Sequence, residues 1–517
     1  WMERERRAPR KRKAGRSYAH RKERRVVPTE LPADDLVPAR ARAMLQWLLG
    51  DGINVDTFFS EYWEKKPLLI KRGQPGYYHG LFNKDQVLDI VGRVTPEGRD
   101  CFEHGLDLRI VKCVEGRRVA LADDGVPIDP DDLRECFAAG ATVQFFQPQR
   151  YHTRLWACME ALECMFGALV GASAYLTPPG SQGLAPHHDD VEVFVLQTEG
   201  SKRWRVYEPL LPLPQDCSTD LPEELLPELV METTLEQGDL LYMPRGFVHC
   251  ASTPKDAFST HVTLSTYQRH NYAALTDRVV AAASESLFQT MLPMRAGLPL
   301  RVGQRLGSVF APRDDSGTGP FGDHVRRVRD VLLRLVGQLD ATLVARAADT
   351  LTIDFMRNRL PPLLDREGGE VDPLPLVAGR AGAVEPVDAA DGDEDEIARP
   401  AGANPLTAAL PACRWRYPAH TVVQVDERGV VVLFSTRNPR RVHMGGGDPE
   451  ADAAATESDD DDEDDDDEEG GERAEQSDGD GAAEDEEAGG GDEDEEGPDP
   501  QSALASALLA APFAPFA

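Results

Sequence analysis

The chain has 517 residues and a formal net charge of −34, with 56 lysines and arginines against 90 aspartates and glutamates. This length exceeds one ordinary domain and is enough for two or three. No apolar run of about 18 residues exists, so we expect no membrane span, and the basic N-terminus lacks the apolar core of a secretory signal. The eight cysteines form no CxxC pair, which argues against a zinc ribbon or disulfide scaffold and for a reducing compartment.

Charge is segregated to the two ends. The first 25 residues hold 12 basic and 3 acidic side chains, and residues 1–38 are predicted to be a disordered basic tail. Its patch at residues 10–13 (RKRK) is typical of nuclear import or RNA contact, which predicts a nuclear and nucleolar location and leaves direct nucleic-acid binding open. Asp448 to Asp499 contains 29 acidic residues and one basic residue, so residues 445–500 are predicted to be a disordered acidic tract.

Residues 39–270 are predicted to form a mainly β domain with flanking helices. Many short strands with Gly/Pro turns and no alternating helices are typical of an antiparallel barrel or jelly roll. Residues 156–170 show the spacing of an amphipathic helix. The strand patterns that matter most for the site lie at 191–197, 203–207, 239–243 and 261–265.

The rest of the chain is predicted to be helical and then mixed. In residues 271–360 an apolar stripe at helical spacing, which begins at Val325 and ends at Leu339, indicates a dimerisation module or a lid on the barrel. Residues 361–444 contain a Gly- and acid-rich insertion at 366–402 and a β-hairpin at 421–435. Because Trp1 precedes Met2 and the apolar residues 501–517 follow the acidic tract directly, we expect a fragment with a truncated C-terminal segment.

A candidate metal site is indicated by a His-x-Asp pair and a distant histidine. His187 and Asp189 precede one predicted strand, and His249 follows a strand and a Pro/Gly turn. Two imidazoles and one carboxylate on neighbouring barrel strands form the triad of non-haem Fe(II) oxygenases, which leaves positions open for co-substrate and O₂. A second pair, His188 and Asp190, overlaps the first. We choose His187 and Asp189 because alternation places them on the face of three valines, which suits a barrel interior.

Three further residues are candidates for binding a co-substrate. Lys202 lies just after the turn at 199–200, and a lysine inside a barrel requires an anionic partner. A 2-oxo acid with a distal carboxylate would supply that partner. Ser265 and Tyr175 could add hydroxyl groups from neighbouring strands, although both would otherwise be ordinary strand residues.

From about Ala43 to Arg269 the sequence resembles the JmjC ribosomal-oxygenase family, in its branch of nucleolar histidyl-hydroxylases and histone lysine demethylases. The segments that carry the resemblance are YWEKKPLLI (62–70), PGYYHGLF (75–82), YLTPP (175–179), APHHDD (185–190), GDLLYMPRGFVH (238–249) and TLSTYQR (263–269). The sequence departs from the family pattern where it has Gln144, Ser173 and His188, in place of arginine, asparagine and tyrosine. These departures surround the triad and affect the expected substrate fit.

The resemblance implies a double-stranded β-helix (cupin/JmjC) domain, a helical dimerisation region and a partial winged helix. It assigns His187, Asp189 and His249 to Fe(II), Lys202 to the distal carboxylate of 2-oxoglutarate, and Ser265 and Tyr175 to the co-substrate or substrate pocket. The implied reaction consumes O₂ and 2-oxoglutarate and hydroxylates a histidine in a ribosomal protein.

Three alternatives remain open. They are demethylation of methyl-lysine in a histone tail with a role in transcription, a non-catalytic module for chromatin or ribosome assembly, and a zinc-bound cupin enzyme. Because Asp190 and Glu192 lie next to the triad in sequence, we expect an acidic rim that favours a basic peptide.

Overall fold

The computed structural model describes residues 37–92, 101–306, 319–364, 370–371, 373–374, 417–426, 429–438 and 443–444. Nearly all of the predicted basic tail, most of the insertion at 366–402, the acidic tract and the C-terminal segment lie outside the described residues. Within the described part, no helix is both long and apolar enough to cross a membrane. The helices are α1 (Ala39–Leu49), α2 (Val55–Glu61), α3 (Lys84–Val91), α4 (Pro130–Ala138), α5 (Thr153–Phe166), α6 (Tyr272–Thr290), α7 (Leu292–Arg295), α8 (Gly303–Leu306), α9 (Gly319–Val336) and α10 (Ala341–Asn358).

The strands form an antiparallel barrel core, as the sequence predicts. They are β1 (Leu68–Ile70), β2 (Phe102–Glu103), β3 (Leu108–Val114), β4 (Arg117–Ala120), β5 (Pro127–Ile128), β6 (Thr142–Phe146), β7 (Val170–Thr177), β8 (Glu192–Pro209), β9 (Leu229–Glu236), β10 (Leu240–Met243), β11 (Phe247–Ser252), β12 (Ser259–Thr266), β13 (Thr421–Asp426) and β14 (Gly429–Phe434). The large sheet has the order β1-β10-β8-β12-β7-β6-β3-β4, and β9 and β11 flank the far half of β8.

Strand β8 joins the two sheets of the barrel. Its first half pairs with β10 and β12, and its second half pairs with β9 and β11. The sequence predicts two strands here, but the structure has one strand of 18 residues. Gly200 lies at the crossing with φ +62°, and a Cβ there would stand 1.9 Å from the carbonyl oxygen of Phe258. Only glycine fits this bend, so the strand continues from one sheet to the other.

Two hydrophobic cores lie on opposite faces of the large sheet. Val193 and Val195 point into the barrel and pack with Trp204, Val206 and Met243. The alternate residues of β8, including Phe194, pack on the outer face against α1, α2 and α5. The predicted orientation of the valine face toward the barrel interior is therefore confirmed.

Helix α5 is buried along nearly its whole length. The spacing of its apolar residues predicts an exposed polar face, but Glu160 and Glu163 on that face are 1% and 0% exposed. The residues around His420 and His443 cover them, because His420 bonds to Glu160 at 2.8 Å and His443 bonds to Glu163 at 2.9 Å. These two histidine–glutamate contacts attach that part of the chain to the barrel half of the fold.

The region after the barrel is helical, as expected, and α6 packs on both α9 and α10. The predicted hairpin is also confirmed as β13 and β14, which pair in antiparallel register. Other parts of the predicted winged helix lie largely outside the described residues, so that domain stays a prediction.

Candidate metal centre

The fold brings His187, Asp189 and His249 together at one end of the barrel. His187 and Asp189 lie in the loop before β8, and His249 is in β11. The backbone amide of His187 donates to the carbonyl of His249 at 3.1 Å, and the reverse bond is 2.8 Å long. The amide of Gly246 donates to the carbonyl of Asp189 at 3.0 Å. Backbone bonds therefore fix the positions of all three residues.

The side chains of this triad converge on a common point. Asp189 Oδ1 lies 3.7 Å from His187 Nε2, and Asp189 Oδ2 lies 3.6 Å from His249 Nε2. All three ligand atoms lie within 4.8 Å of one another. This spacing leaves room for a single ion at the usual metal–ligand distances of about 2.1 Å.

The tautomers of both histidines suit a metal ion. Nδ1 of His187 lies 2.8 Å from the carbonyl oxygen of Ala185, and Nδ1 of His249 lies 3.0 Å from that of Phe247. A carbonyl oxygen only accepts, so each Nδ1 carries the proton and each Nε2 presents its lone pair to the site. Burial lowers the pKa of His249 to about 4, which keeps its imidazole neutral at neutral pH. Two imidazoles and a carboxylate are a donor set that suits Fe(II).

A cleft of about 500 Å³, including its open mouth, leads from the triad into the barrel. The apolar side chains Val193, Val195 and Met243 form part of its wall. The polar side chains that line it besides the triad are Thr142, Tyr175, Lys202, Trp204, His261 and Thr263.

Lys202 lies inside this cleft, as predicted, and its side chain is 5% exposed. Nζ donates to Thr177 Oγ1 at 3.0 Å. Within the described part of the chain, no carboxylate influences this ammonium, and burial alone lowers the pKa of Lys202 to about 7. A buried cation with only a hydroxyl partner is costly unless an anionic ligand neutralises it. The cleft therefore fits a small molecule with a carboxylate at its inner end.

The other two predicted co-substrate residues differ in their placement. Tyr175 lines the cleft and its hydroxyl accepts a hydrogen bond from Gln144 Nε2 at 2.9 Å, while burial raises its pKa. Ser265 does not line the cleft; its hydroxyl lies beside Gly171 of β7, near Met444. The co-substrate role of Ser265 stays a prediction. Gln144, one of the departures from the family pattern, is accommodated by its hydrogen bond to the hydroxyl of Tyr175.

Sequence reasoning missed Thr177, His261 and Trp204. A signal for His261 was present, because β12 alternates His261, Thr263 and Ser265 with Val262 and Leu264. Polar residues at every second position of a central strand indicate a polar interior face. Thr177 and Trp204 carry no comparable signal, since both are ordinary strand residues.

The expected acidic rim is wrong for Glu192. Its side chain is 0% exposed and lies on the outer face of β8, opposite the cleft. Tyr242 donates to Glu192 at 2.5 Å, and Arg245 Nη1 lies 3.4 Å away. Alternation along the strand explains the error, because the residue after Val191 must point to the other face.

Comparison with known proteins agrees with this fold. A family model of the JmjC domain matches residues 144–275. Ribosomal oxygenase 2 of Bos taurus is 35% identical over 418 residues, which cover 77% of this chain and 79% of that protein. The bifunctional lysine-specific demethylase and histidyl-hydroxylase NO66 of Drosophila persimilis is 36% identical over 311 residues, 60% of this chain and 43% of that protein.

Two further relatives are ribosomal oxygenases of other organisms. Ribosomal oxygenase 1 of Homo sapiens is 35% identical over 332 residues, and the chain spans 50% of it. The solved structure of YcfD, a ribosomal oxygenase from Escherichia coli in complex with cobalt and 2-oxoglutarate, is 19% identical with a TM-score of 0.37, covering 60% of this chain and 72% of that one. The predicted family and the cupin/JmjC fold with its antiparallel sheet and flanking helices are confirmed by the family model and the bovine relative. The chain belongs to the ribosomal oxygenase family of JmjC-domain proteins.

Proposed function

We propose that this protein is an Fe(II)- and 2-oxoglutarate-dependent dioxygenase that hydroxylates a histidine in a ribosomal protein. The observation that carries the proposal is the pairing of the His/Asp/His triad with Lys202, whose buried ammonium lies in the same cleft without a carboxylate partner among the described residues. The names of the relatives supply the substrate class.

The residues of the site have distinct roles in this reaction. His187, Asp189 and His249 would hold the ion, with both imidazoles kept in the correct tautomer by backbone carbonyls. Lys202, oriented by Thr177, would bind the distal carboxylate of 2-oxoglutarate. When bound, Fe(II) and its co-substrate supply the coupling of O₂ reduction to decarboxylation, which yields succinate, CO₂ and one oxygen atom inserted into a C–H bond.

The protein also controls water in the cleft. Val193, Val195 and Met243 are at most 3% exposed and form part of the wall of the cleft that also holds the triad and Lys202. Exclusion of water strengthens the interaction of Lys202 with an anion and limits side reactions of the oxidising site.

Mass spectrometry tests the proposal. The full chain is incubated with Fe(II), ascorbate, 2-oxoglutarate and a pool of histidine-containing ribosomal peptides and trimethyl-lysine histone peptides. We expect one added oxygen on a histidine peptide, together with succinate, and neither product from the His249→Ala variant. Unmodified histidine peptides alongside full turnover of 2-oxoglutarate would rule out this substrate.

Demethylation of a histone tail is the second candidate, because one relative carries both activities in its name. The two reactions share hydroxylation of a C–H bond, but a hydroxylated N-methyl group collapses to formaldehyde. Loss of a methyl group from the histone peptides, with formaldehyde released, would favour demethylation and a role in transcription over histidine hydroxylation.

The non-catalytic module and the zinc enzyme are distinguished by the metal. Reconstitution with Fe(II) or with Zn(II), followed by the 2-oxoglutarate turnover assay, separates them. Turnover with Fe(II) but not with Zn(II) supports the oxygenase. Turnover of substrate with Zn(II) supports the zinc enzyme, and no turnover with either metal supports the binding module.

We also propose that the helical region forms a homodimer. On α9, Val328, Leu332 and Val336 are 59%, 51% and 64% exposed, although Leu335 on the same helix is buried. A second copy that covers this stripe would remove a large apolar surface from water. Light scattering should give twice the monomer mass, and Leu332→Glu should reduce it; a monomer at all concentrations would contradict the dimer.

A nuclear and nucleolar location is proposed from the basic patch at residues 10–13, which lies outside the described residues. A fluorescent fusion of the full chain should concentrate in nuclei, and replacing the four basic residues by alanine should disperse it. Equal distribution of both fusions would contradict this location.

A further inference from the structure

His261 is the third histidine of the cleft, and the proposed function leaves it without a role. It lies on β12 with 2% of its surface exposed. Unlike His187 and His249, it has no backbone carbonyl on its Nδ1. This nitrogen is buried and has no hydrogen-bond partner among the residues that the structure describes.

Aromatic neighbours fix the orientation of the ring. His261 stacks on Tyr175 with a centroid distance of 4.7 Å and an interplanar angle of 3°. Trp204 meets it edge to face at 5.5 Å and 80°. These ring contacts orient the imidazole, and its Nδ1 remains available for a ligand.

Lys202 lies beside this ring. Its Nζ is 5.9 Å from the ring centroids of both Tyr175 and Trp204, the two side chains that contact His261. Burial and the ammonium of Lys202 lower the pKa of His261 well below its usual value. The imidazole is thus neutral and carries one N–H donor next to the cation.

An unpartnered buried polar atom is costly, at about 1 to 3 kcal/mol. In this cleft His261 Nδ1 has no partner and Lys202 has only a hydroxyl. With its proton on Nδ1, His261 needs an acceptor as Lys202 does, and two neighbouring donors can share one acceptor. A carboxylate has two oxygens and can accept from both.

We propose that His261 binds the co-substrate, donating from Nδ1 to the distal carboxylate that Lys202 also contacts. This inference rests on the proposed function, since it requires a 2-oxo dicarboxylate in the cleft. It makes His261 a residue that selects for the second carboxylate, while the triad holds the 2-oxo acid end.

Direct binding tests the inference without reference to turnover. Dissociation constants are measured by calorimetry on the full chain loaded with Mn(II), for 2-oxoglutarate and for 2-oxobutyrate, which lacks the distal carboxylate. His261→Phe keeps a ring against Tyr175 but removes the donor. We expect it to weaken 2-oxoglutarate binding about tenfold or more, the size of one hydrogen bond to a charged group. Binding of 2-oxobutyrate should change less than about twofold.

Two amide variants distinguish the loss of a hydrogen-bond donor from a change in packing. The side-chain nitrogen of His261→Asn can occupy the place of Nδ1, whereas that of His261→Gln reaches the place of Nε2. We expect Asn to restore most of the affinity for 2-oxoglutarate and Gln to restore little. This comparison decides the question even if the Phe variant does not fold.

The outcomes separate the inference from the proposed function. If the wild-type Mn(II) protein does not bind 2-oxoglutarate, the proposed function fails. If the wild type binds it and the Phe, Asn and Gln variants bind equally well, the proposed function stands and the role of His261 is refuted. An equal loss of affinity for both ligands would also refute it, because the loss would then be one of packing.

Discussion

Among the residues that the structure describes, two groups of side chains have the spacing of a metal site, and only one of them has the electrostatics of one. The triad of His187, Asp189 and His249 and the group of Glu160, Cys164 and His420 both place three ligand atoms within 4.8 Å. In the triad, within the described residues, no arginine or lysine bonds to a ligand atom, and both Nε2 atoms present lone pairs.

The second group is already neutralised by arginine. Arg40 donates twice to the carboxylate of Glu160, with one bond at 2.8 Å. Arg359 Nη2 lies 2.9 Å from Cys164 Sγ. His420 uses both ring nitrogens, one on Glu160 and one on Ser435 at 2.7 Å. We call this group the arginine clamp; it holds the chain around His420 on α5.

The comparison teaches that ligand spacing alone does not define a metal site. The arginine clamp is satisfied internally, so removing one partner leaves charges buried and unpaired. In the metal centre and its cleft, some polar groups lack a full set of partners among the described residues. They therefore lower the free energy of unfolding until a ligand binds. Mutations should therefore change the free energy of unfolding in opposite directions: removing a polar group should lower it in the arginine clamp and raise it in the cleft.

The largest expected effect separates the two groups by metal content. His249→Ala should bind no Mn(II) or Fe(II) and lose more than about 100-fold in turnover, since even the loss of a second-shell partner costs about 10- to 100-fold. His420→Ala should keep the metal stoichiometry of the wild type. Elemental analysis of the reconstituted proteins measures this, and loss of metal in the His420 variant would break the comparison.

Glu160→Ala should cost about 3 to 5 kcal/mol of folding free energy, because it leaves Arg40 and Arg359 without their buried counter-charge. The matched control is the exposed pair of Arg42 with Asp56, whose side chains are 35% and 65% exposed. Asp56→Ala should cost at most about 1 kcal/mol. Denaturant unfolding of the metal-free proteins measures both, and similar losses would contradict the assignment of the clamp.

Lys202→Met should raise the stability of the metal-free protein by about 1 to 3 kcal/mol at pH 7 or below, because it removes a buried ammonium. The folded pKa of Lys202, about 7, lies below its ordinary value of 10.5. Wild-type stability should therefore rise with pH between these values, and the advantage of the variant should shrink. The same variant should lose 2-oxoglutarate binding in calorimetry. A destabilised variant would show that Lys202 is satisfied within the protein.

The last effect concerns acid and is spread over a range of pH. Burial lowers the pKa of His420 to about 4, from an ordinary value of 6.5. The unfolded chain therefore takes up a proton before the folded protein does, and stability falls as pH drops from 6.5 to 4, by at most about 1.4 kcal/mol per pH unit. His420→Gln keeps a donor to Glu160 and should flatten this slope. The matched control for a histidine-to-glutamine change is the same replacement at the exposed His79.

The features of this protein that could be predicted from its sequence are those that a local pattern of residues determines. The alternation of Val191, Val193 and Val195 indicated the barrel face, and the His-x-Asp motif with the distant His249 indicated a shared site. The sequence did not predict the contact of His261 with Tyr175, because that stack depends on the pairing of β12 with β7.

The arginine clamp could not be predicted from the sequence, for the same reason. Arg40 and Glu160 are 120 residues apart, and His420 is 260 residues from Glu160. Nothing in the local spacing of α5 shows that its polar face will be covered. Tertiary packing alone determines which of its glutamates are buried, and it overrides the amphipathic pattern.

The direct backbone bonds between His187 and His249 make the spacing of the two imidazoles a property of the barrel itself. The two ligands cannot move apart without breaking hydrogen bonds of the fold, so little ordering entropy is lost when an ion enters the site. A substitution that loosens β11 should therefore weaken metal binding even though it leaves all three ligand side chains in place.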